Sequence, residues 1–505
     1  MSSVRRGLIF SSFERYSVLL LGMSTTIVTA RLLTPADFGI AVIGLAIFGL
    51  IDIFRDFGSG TYIIQVDDPT PERVQSVFTV TLMLALPLFL LTYFFAGTIA
   101  KFYGLPGLES YLHVTAFCLL TSSFCSPAYA LLNRNLQFDK LTILSLTTSS
   151  LNAVVTILLA LAGFSYMSYA WAQLVSTVIY FGLCLMWGPK FPIYRFSLSE
   201  WRPVVRYGVY DSARALLLHL GDAAPFLAFG KTLGAASLGI YQRALSISRL
   251  ADKTLLSGFA PVLQPAFSKH SREGRDLGKS FLLGIEHVTV LLWPALVGVV
   301  LLAHPLVMIL LGAQWSSTVP IIQVLAMSSM ICFPLSLCRP ALIAAGGVRE
   351  TAILAILTVP VVVAVQIAAS FWGLMAVAWS FVLTNMYTVA VSLHFVSKHI
   401  SLPQNDVLRA LKKSFIVTLV SAVPLILAAI IADGAEQMPL AIGVGAAILS
   451  AISWFFAIHL TGHPIKNEID RLLDAAAAVL FSPATVQNLK AVRLAVVSRT
   501  SVRKE

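Results

Sequence analysis

Apolar runs of roughly 20 residues, the length a helix needs to cross about 30 Å of hydrocarbon, recur from near residue 9 to near residue 460. Hydrocarbon offers the backbone no hydrogen-bond partners, so each run must satisfy its own amides, and a helix does this within one segment. The expected fold is therefore all-α: a polytopic membrane protein of about 14 transmembrane helices. The spans fall near 9–29, 38–64, 76–100, 109–131, 141–163, 166–187, 204–230, 237–260, 281–302, 318–343, 351–370, 373–395, 413–432 and 438–460. With 57% hydrophobic and 12% charged residues among 505, the chain is too apolar for a water-facing surface, and no stretch remains for a separate soluble domain. Arg5 and Arg6 precede the first apolar run without a small-residue cleavage site, which predicts an uncleaved helix rather than a signal peptide.

The basic residues test the topology. Arg73, Arg134 with Lys140, Lys190 with Arg195, Lys269 with Arg272, Arg349, and Lys398 with Arg409 fall in loops on the side of the N-terminus. The opposite loops hold only Arg31, Lys101 and Lys231, and the last of them, DGAEQMP, is acidic. The positive-inside rule then puts both termini of the expected inner-membrane protein in the cytoplasm. Topology also accounts for the net charge of +11 without a nucleic-acid partner. After the last span, NEIDRLLDAAAAVLF has an apolar face at helical spacing and a basic end, which predicts an interfacial helix and a tail over 463–505.

An internal repeat orders the spans. RLLTPADFGIAVIGLAIFGLID at 31–52 aligns without gaps on KTLGAASLGIYQRALSISRLAD at 231–252, pairing Ala36 with Ala236, Gly39 with Gly239, Leu45 with Leu245 and Asp52 with Asp252. SPAYALLNRNLQ at 126–137 resembles RPALIAAGGVRE at 339–350, and SYMSYAWAQLVST at 165–177 matches GLMAVAWSFVLTN at 373–385, in the same order. The matches predict two parallel six-helix lobes, 1–190 and 191–400, around a central cavity, with helices 13 and 14 over 401–462 as an addition. Transporters rock such halves about a site at the repeat interface.

Ionisable residues inside a membrane must face protein or water. They concentrate in the first two helices of each half. Glu14 and Arg15 share a face of helix 1 with Gly22, Thr25 and Thr29; Asp52, Arg55 and Asp56 lie at i, i+3 and i+4 of helix 2, a spacing that pairs Arg55 with Asp52. Helix 7 carries Asp211, Arg214, His219 and Asp222, and helix 8 carries Gln242, Arg243, Arg249 and Asp252. Arg15, Arg55, Arg214, His219, Arg243 and Arg249 are the candidate cavity residues, suited to an anion such as a pyrophosphate. Glu14, Asp52, Asp56, Asp211, Asp222 and Asp252 are candidates for ion coupling or charge pairing. His113 and the pair Glu286 and His287 read as packing or interhelical hydrogen bonds. Pro87, Pro127, Pro225, Pro294, Pro334, Pro340, Pro360 and Pro424 mark helix irregularities. The five cysteines lack metal or disulfide spacing, and no P-loop, HExxH or GxSxG is present. No catalytic residue, metal or cofactor is expected.

The stretch ARLLTPADFGIAVIGLAIFGLIDIFRDFGSGTYIIQ at 30–65 resembles the first hairpin of polysaccharide transporters of the multidrug/oligosaccharidyl-lipid/polysaccharide exporter superfamily. LLGAQWSSTVPIIQVLAM at 310–327 and RPALIAAGGVRE at 339–350 are similar to that family's tenth helix and the turn after it. The resemblance implies a flippase that moves a polyprenyl-pyrophosphate-linked oligosaccharide repeat unit to the periplasmic leaflet for exopolysaccharide, capsule or O-antigen assembly. It implies membrane lipid, a polysaccharide polymerase and export machinery as partners. Arg31, Pro35, Gly39, Asp56, Gly58 and Gly60 belong to its motif and read as structural. The alternatives are a cation-coupled multidrug exporter or a lipid II flippase of the same superfamily, and, from another class, a membrane polysaccharide polymerase or ligase, which would need a large periplasmic loop.

Overall fold

The computed structural model describes residues 2–188, 192–400, 402, 404–434, 436 and 438–471, without the side chains of 2–12, 214, 218, 257–262, 404 and 405. The expected interfacial helix lies outside the described residues beyond Arg471, as does the basic tail. All regular structure among the described residues is helical. In chain order the helices are α1 (Ser2–Leu32), α2 (Pro35–Asp56), α3 (Ser59–Gln65), α4 (Pro71–Tyr103), α5 (Pro106–Arg134), α6 (Phe138–Leu161), α7 (Met167–Trp187), α8 (Trp201–Thr232) and α9 (Gly234–Ser248). They continue as α10 (Ser257–Arg272), α11 (Leu277–Leu301), α12 (Ala303–Leu310), α13 (Val319–Ile331), α14 (Leu335–Ala344), α15 (Val348–Ser370), α16 (Leu374–His399), α17 (Gln404–Ile431) and α18 (Leu440–Thr461).

Eleven helical stretches are long and apolar enough to cross a membrane among the described residues. The other expected spans, 9–29, 204–230 and 237–260, are helical too, on α1, α8 and α9 with its continuation, and these hold most of the charged candidates. Three expected continuous spans are interrupted. The helix expected over 38–64 ends at Asp56, because Phe57 (φ 48°) and Gly58 (φ 63°) both turn left-handed before α3 begins. A π-helical turn over Asp252–Leu256 follows α9. The span at 318–343 divides between α13 and α14, where Pro334 sits ahead of the first turn of α14. Pro87, Pro127, Pro225, Pro294, Pro340, Pro360 and Pro424 remain inside helices.

The helices group into two compact units. The first comprises the chain up to Arg249 with Ala303–Ser328 and Ala352–Thr388; the second comprises Leu250–Leu302, Ser329–Thr351 and the chain from Val389.

In the first unit, α2 starts sharply. The Thr34 hydroxyl accepts from the Asp37 amide at 3.2 Å, and the Asp37 carboxylate accepts from the Thr34 amide at 3.3 Å, a capping box that serves two otherwise orphaned amides, while Pro35 in the first turn brings none to satisfy. Its next turn meets α9 backbone to backbone. A Cβ added to Gly39 would lie 1.8 Å from the Ala235 carbonyl oxygen, and one added to Gly239 would lie 2.1 Å from that of Pro35. Residues 35 and 39 thus meet 235 and 239 reciprocally, the pairs that the sequence repeat equates. The repeated glycine, which reads as structural from its motif, serves as a helix-crossing residue.

Elsewhere in this unit, helix ends are capped by side chains from far along the chain. Gln314 and Trp315, in a 3-10 turn over Ala313–Thr318, each donate to the Ala30 carbonyl at 2.6 Å near the end of α1. Arg31 donates to the Ile309 carbonyl at the end of α12. The Arg134 guanidinium gathers the carbonyls of Ile63, Val66 and Asp67 at the end of α3. His113 stacks on Tyr93 with ring centroids 4.4 Å apart and hydrogen-bonds its carbonyl, the interhelical role expected of it.

In the second unit, α17 and α18 are fastened to α11. Val290, Val417, Ala457, Ile458 and Ile465 form its apolar seam, and Trp454 donates to the Val290 carbonyl at 2.8 Å. A polar chain runs beside it: Thr289 donates to the Ser414 hydroxyl at 2.8 Å, and Ser414 lies 3.2 Å from Nε2 of His463. The Ile465 amide donates to Nδ1 of His463, which leaves Nε2 to carry the proton. His463 lies beyond the last turn of α18 and is buried; burial first, then the nearby His287 and Lys413, hold its imidazole down at about 4.

Two predictions follow from the packing. Gly39→Val should push α2 from α9 and lower stability by about 1–3 kcal/mol, whereas Gly49→Val, with nothing within 4 Å of its Cβ position, should not; thermal unfolding in detergent reads the difference. An unfolded histidine binds its proton near about 6.5 and folded His463 only near 4. Stability should therefore be level above that upper value and fall as pH drops through the interval, and His463→Gln should flatten that fall in a melting series.

Candidate functional site: a polar cavity in the first unit

The first unit has an open cavity of about 660 Å³ lined by α1, α2, α5, α6, α7 and α9, a size typical of ligand pockets. Its walls are hydroxyl and amide side chains: Thr25 and Thr26 from α1, Ser122 from α5, Thr148, Ser149 and Asn152 from α6, Gln173, Ser176 and Thr177 from α7, and Gln242 and Ser246 from α9. Among the described residues, no carboxylate lines it. Many of these groups are stabilised within their own helices. Thr25, Thr148, Ser176 and Thr177 donate to the carbonyl four residues back at 2.7–2.9 Å, so each hydroxyl proton is occupied while the oxygen can still accept. Asn152 donates to Ser176 at 3.2 Å and ties α6 to α7. The side-chain oxygen of Gln242 is buried without a hydrogen-bond partner.

Arg243 is the lining cation. Its guanidinium lies 3.6 Å from the centroid of the Phe38 ring and 5.6 Å from that of Trp315. Nη2 donates to Thr29 at 3.1 Å and to Tyr169 at 3.4 Å, and the Tyr169 hydroxyl donates to Thr29 at 2.9 Å. The residue is 2% exposed, and Nε finds no partner. A buried charge costs several kcal/mol unless it is paired; here aromatic faces and hydroxyls take that part. Among the described residues Arg243 forms no ion pair, so its positive field reaches the cavity uncancelled. The closeness of Gly39 and Gly239 sets this geometry, since Phe38 precedes one glycine and Arg243 lies one turn beyond the other.

The other sequence candidates whose side chains are described lie elsewhere than this cavity. Arg55 is buried and held by Asp52 at 2.6 Å, as their spacing predicts, with the Asp56 carboxylate 4.0 Å away. Asp211 approaches the break between α2 and α3, where a Cβ on Gly58 would meet its carboxylate at 2.8 Å. Arg15, His219, Asp222 and Arg249 are exposed, and Glu14 and Asp252 are half-buried. The Arg214 side chain lies outside the described residues. What sequence reasoning missed is the neutral wall of α6 and α7. Its signal was the density of small polar residues in TTSSLN at 147–152 and in Gln173, Ser176 and Thr177, within helices that look unremarkable when only charge is tracked.

Known proteins share this architecture. The family model described as polysaccharide biosynthesis protein matches residues 28–320, more than half of the chain. The succinoglycan biosynthesis transport protein ExoT of Rhizobium meliloti is 27% identical over 354 residues, which cover 70% of this chain and 71% of that protein. A structure of the lipid II flippase MurJ in an inward closed conformation matches with a TM-score of 0.71 at 15% identity, over 92% of this chain and 99% of that one. An inward-facing multidrug resistance MATE family transporter of the MOP superfamily matches with a TM-score of 0.63 at 16% identity, over 76% and 94%. At those identities the two structures establish a common fold: an all-α, multi-pass membrane protein.

The clamp around Arg243 predicts energetic coupling. In a double-mutant cycle of Phe38→Leu with Arg243→Met, read by thermal unfolding, the interaction energy should be about 1–2 kcal/mol. Additive losses would reject a cation held by the ring.

Proposed function

Since this chain belongs to the polysaccharide biosynthesis protein family, we propose that it is a flippase. Its cargo is a polyprenyl-pyrophosphate-linked oligosaccharide repeat unit, carried from the cytoplasmic to the periplasmic leaflet of a bacterial inner membrane for exopolysaccharide, capsule or O-antigen assembly. The observation that carries the reading is the cavity: one uncancelled guanidinium set among neutral hydroxyl and amide groups. Such a lining suits a polar, sugar-bearing cargo. A cationic drug would find no carboxylate there, which weighs against the exporter alternative.

In this proposal about 14 helices cross the membrane as two six-helix lobes and an added pair, with both termini in the cytoplasm. Rocking of the lobes exposes the cargo path to each side in turn, and the chain does no covalent chemistry on the cargo. Arg214, Arg243 and Arg249 attract the headgroup, with Arg15 adding positive charge along the path, His219 offering hydrogen bonds, and Arg55 acting together with its partner Asp52. Glu14, Asp52, Asp56, Asp211, Asp222 and Asp252 balance charge or couple transport to an ion gradient. A polymerase and export machinery take the repeat unit onward.

Proteoliposomes loaded with labelled lipid-linked oligosaccharide test the reading. The wild type should move the label to the opposite leaflet, and Arg214→Ala, Arg243→Ala and Arg249→Ala should each slow it at matched protein levels. Full rates in all three variants would reject the role of these arginines. Lysine at each position should restore part of the rate where charge alone matters and none where the guanidinium fork is needed. Dissipating the proton and sodium gradients separately should slow transport in one case; unchanged rates in both would reject coupling.

A further inference from the structure

The cavity of the first unit has two walls of different chemistry. Along α6 and α7 every polar lining group is neutral, and the hydroxyls that bond back to their own helix turn accepting oxygens to the space. Along α9, Gln242 presents a buried acceptor and Arg243 a buried donor, neither with a partner. Tyr169 and Tyr180 add aromatic faces to the lining. A phosphate group is held best by several charged donors converging on its oxygens. Here there is one guanidinium, already stacked on Phe38 and bonded to Thr29 and Tyr169. A sugar instead needs interleaved donors and acceptors for its hydroxyls and an apolar surface for its C–H face, and this cavity supplies both.

The geometry points to this cavity as a saccharide subsite, which seats a neutral sugar residue between the Asn152 and Gln173 wall and the edge formed by Gln242 and Arg243, rather than the pyrophosphate of the cargo. The assignment rests on the flippase reading only for what the sugar is attached to.

The test uses the full chain in nanodiscs and two soluble probes: the oligosaccharide released by mild acid from the producing bacterium's lipid-linked pool and dephosphorylated, and inorganic pyrophosphate. The wild type should bind the oligosaccharide by calorimetry, and Asn152→Leu and Gln173→Leu should each weaken binding by about tenfold without competition from millimolar pyrophosphate. Should either variant fold poorly, Ser149→Cys gives a second measurement: the oligosaccharide should protect it from a thiol reagent and pyrophosphate should not. No binding by the wild type, equal binding by the variants with no protection of Ser149→Cys, or displacement by pyrophosphate would each overturn the assignment. The flippase reading is judged separately in proteoliposomes. Flipping without cavity-dependent sugar binding would remove the subsite alone, and sugar binding without flipping would remove the flippase and leave the subsite.

Discussion

Two helices that touch through their backbones, α2 and α9 at Gly39 and Gly239, fix the geometry on which the first unit depends. Inside hydrocarbon there is no gain from hiding apolar side chains from water, so helices associate through close van der Waals packing, which small residues permit. With the side chains gone at the crossing, the ridges on either side come within reach of each other. Phe38 can then lie against Arg243, and Trp315, which closes the end of α1, completes the surround. The cavity opens where the α9 edge faces α6 and α7. A larger residue at either glycine acts on all of this at once, since the cation, its aromatic support and the polar wall are placed by the same contact.

A second economy runs through the fold. Polar groups inside the membrane are satisfied locally wherever they can be, by threonine and serine hydroxyls bonding one turn back, and by long-range side chains at helix ends where they cannot. Arg134 on α3 and Gln314 with Trp315 on α1 are of the latter kind. Arg134 entered the sequence reading as a loop charge that orients the chain, and Arg31 as a loop charge and a structural residue of the family motif. Their observed work is to neutralise the carbonyl ends of helices, a duty compatible with a basic loop position because the C-terminal end of a helix carries partial negative charge.

Hydropathy and helical spacing made much of this legible. The all-helical architecture and the Asp52–Arg55 pair depend on residues within one turn or one span of each other. The glycine repeat was legible as a repeat and not as a crossing, because its partner lies 200 positions away in the alignment of 31–52 on 231–252. The break at Phe57–Gly58 carries no proline, and apolar runs flank it on both sides, so window-averaged hydropathy passes over the short stretch RDFGSG. The polar wall was invisible for a related reason. A threonine that bonds to its own helix is cheap in a membrane, and Thr148, Ser149 and Asn152 therefore sit in a span that looks ordinary until α6 and α7 are laid side by side. Arg243 stood out by its charge, yet its aromatic support comes from residues 38 and 315, which no local pattern connects to it.

The reciprocal contact of 35 and 39 with 235 and 239 has the form of a twofold interface, the kind that two copies of one polypeptide make with each other. A single ancestral half bearing this surface could dimerise through it, and a gene fusion would then turn an interface between subunits into a seam within one chain. Fusion releases such a pair from identity. At the positions the alignment equates, one copy holds Ile43, fully buried and apolar, and the other holds Arg243, charged and facing the cavity. A strict homodimer would carry two arginines or none across its axis; this chain carries one, and the polar lining beside it is accordingly one-sided, with its cation on α9 and neutral groups on α6 and α7.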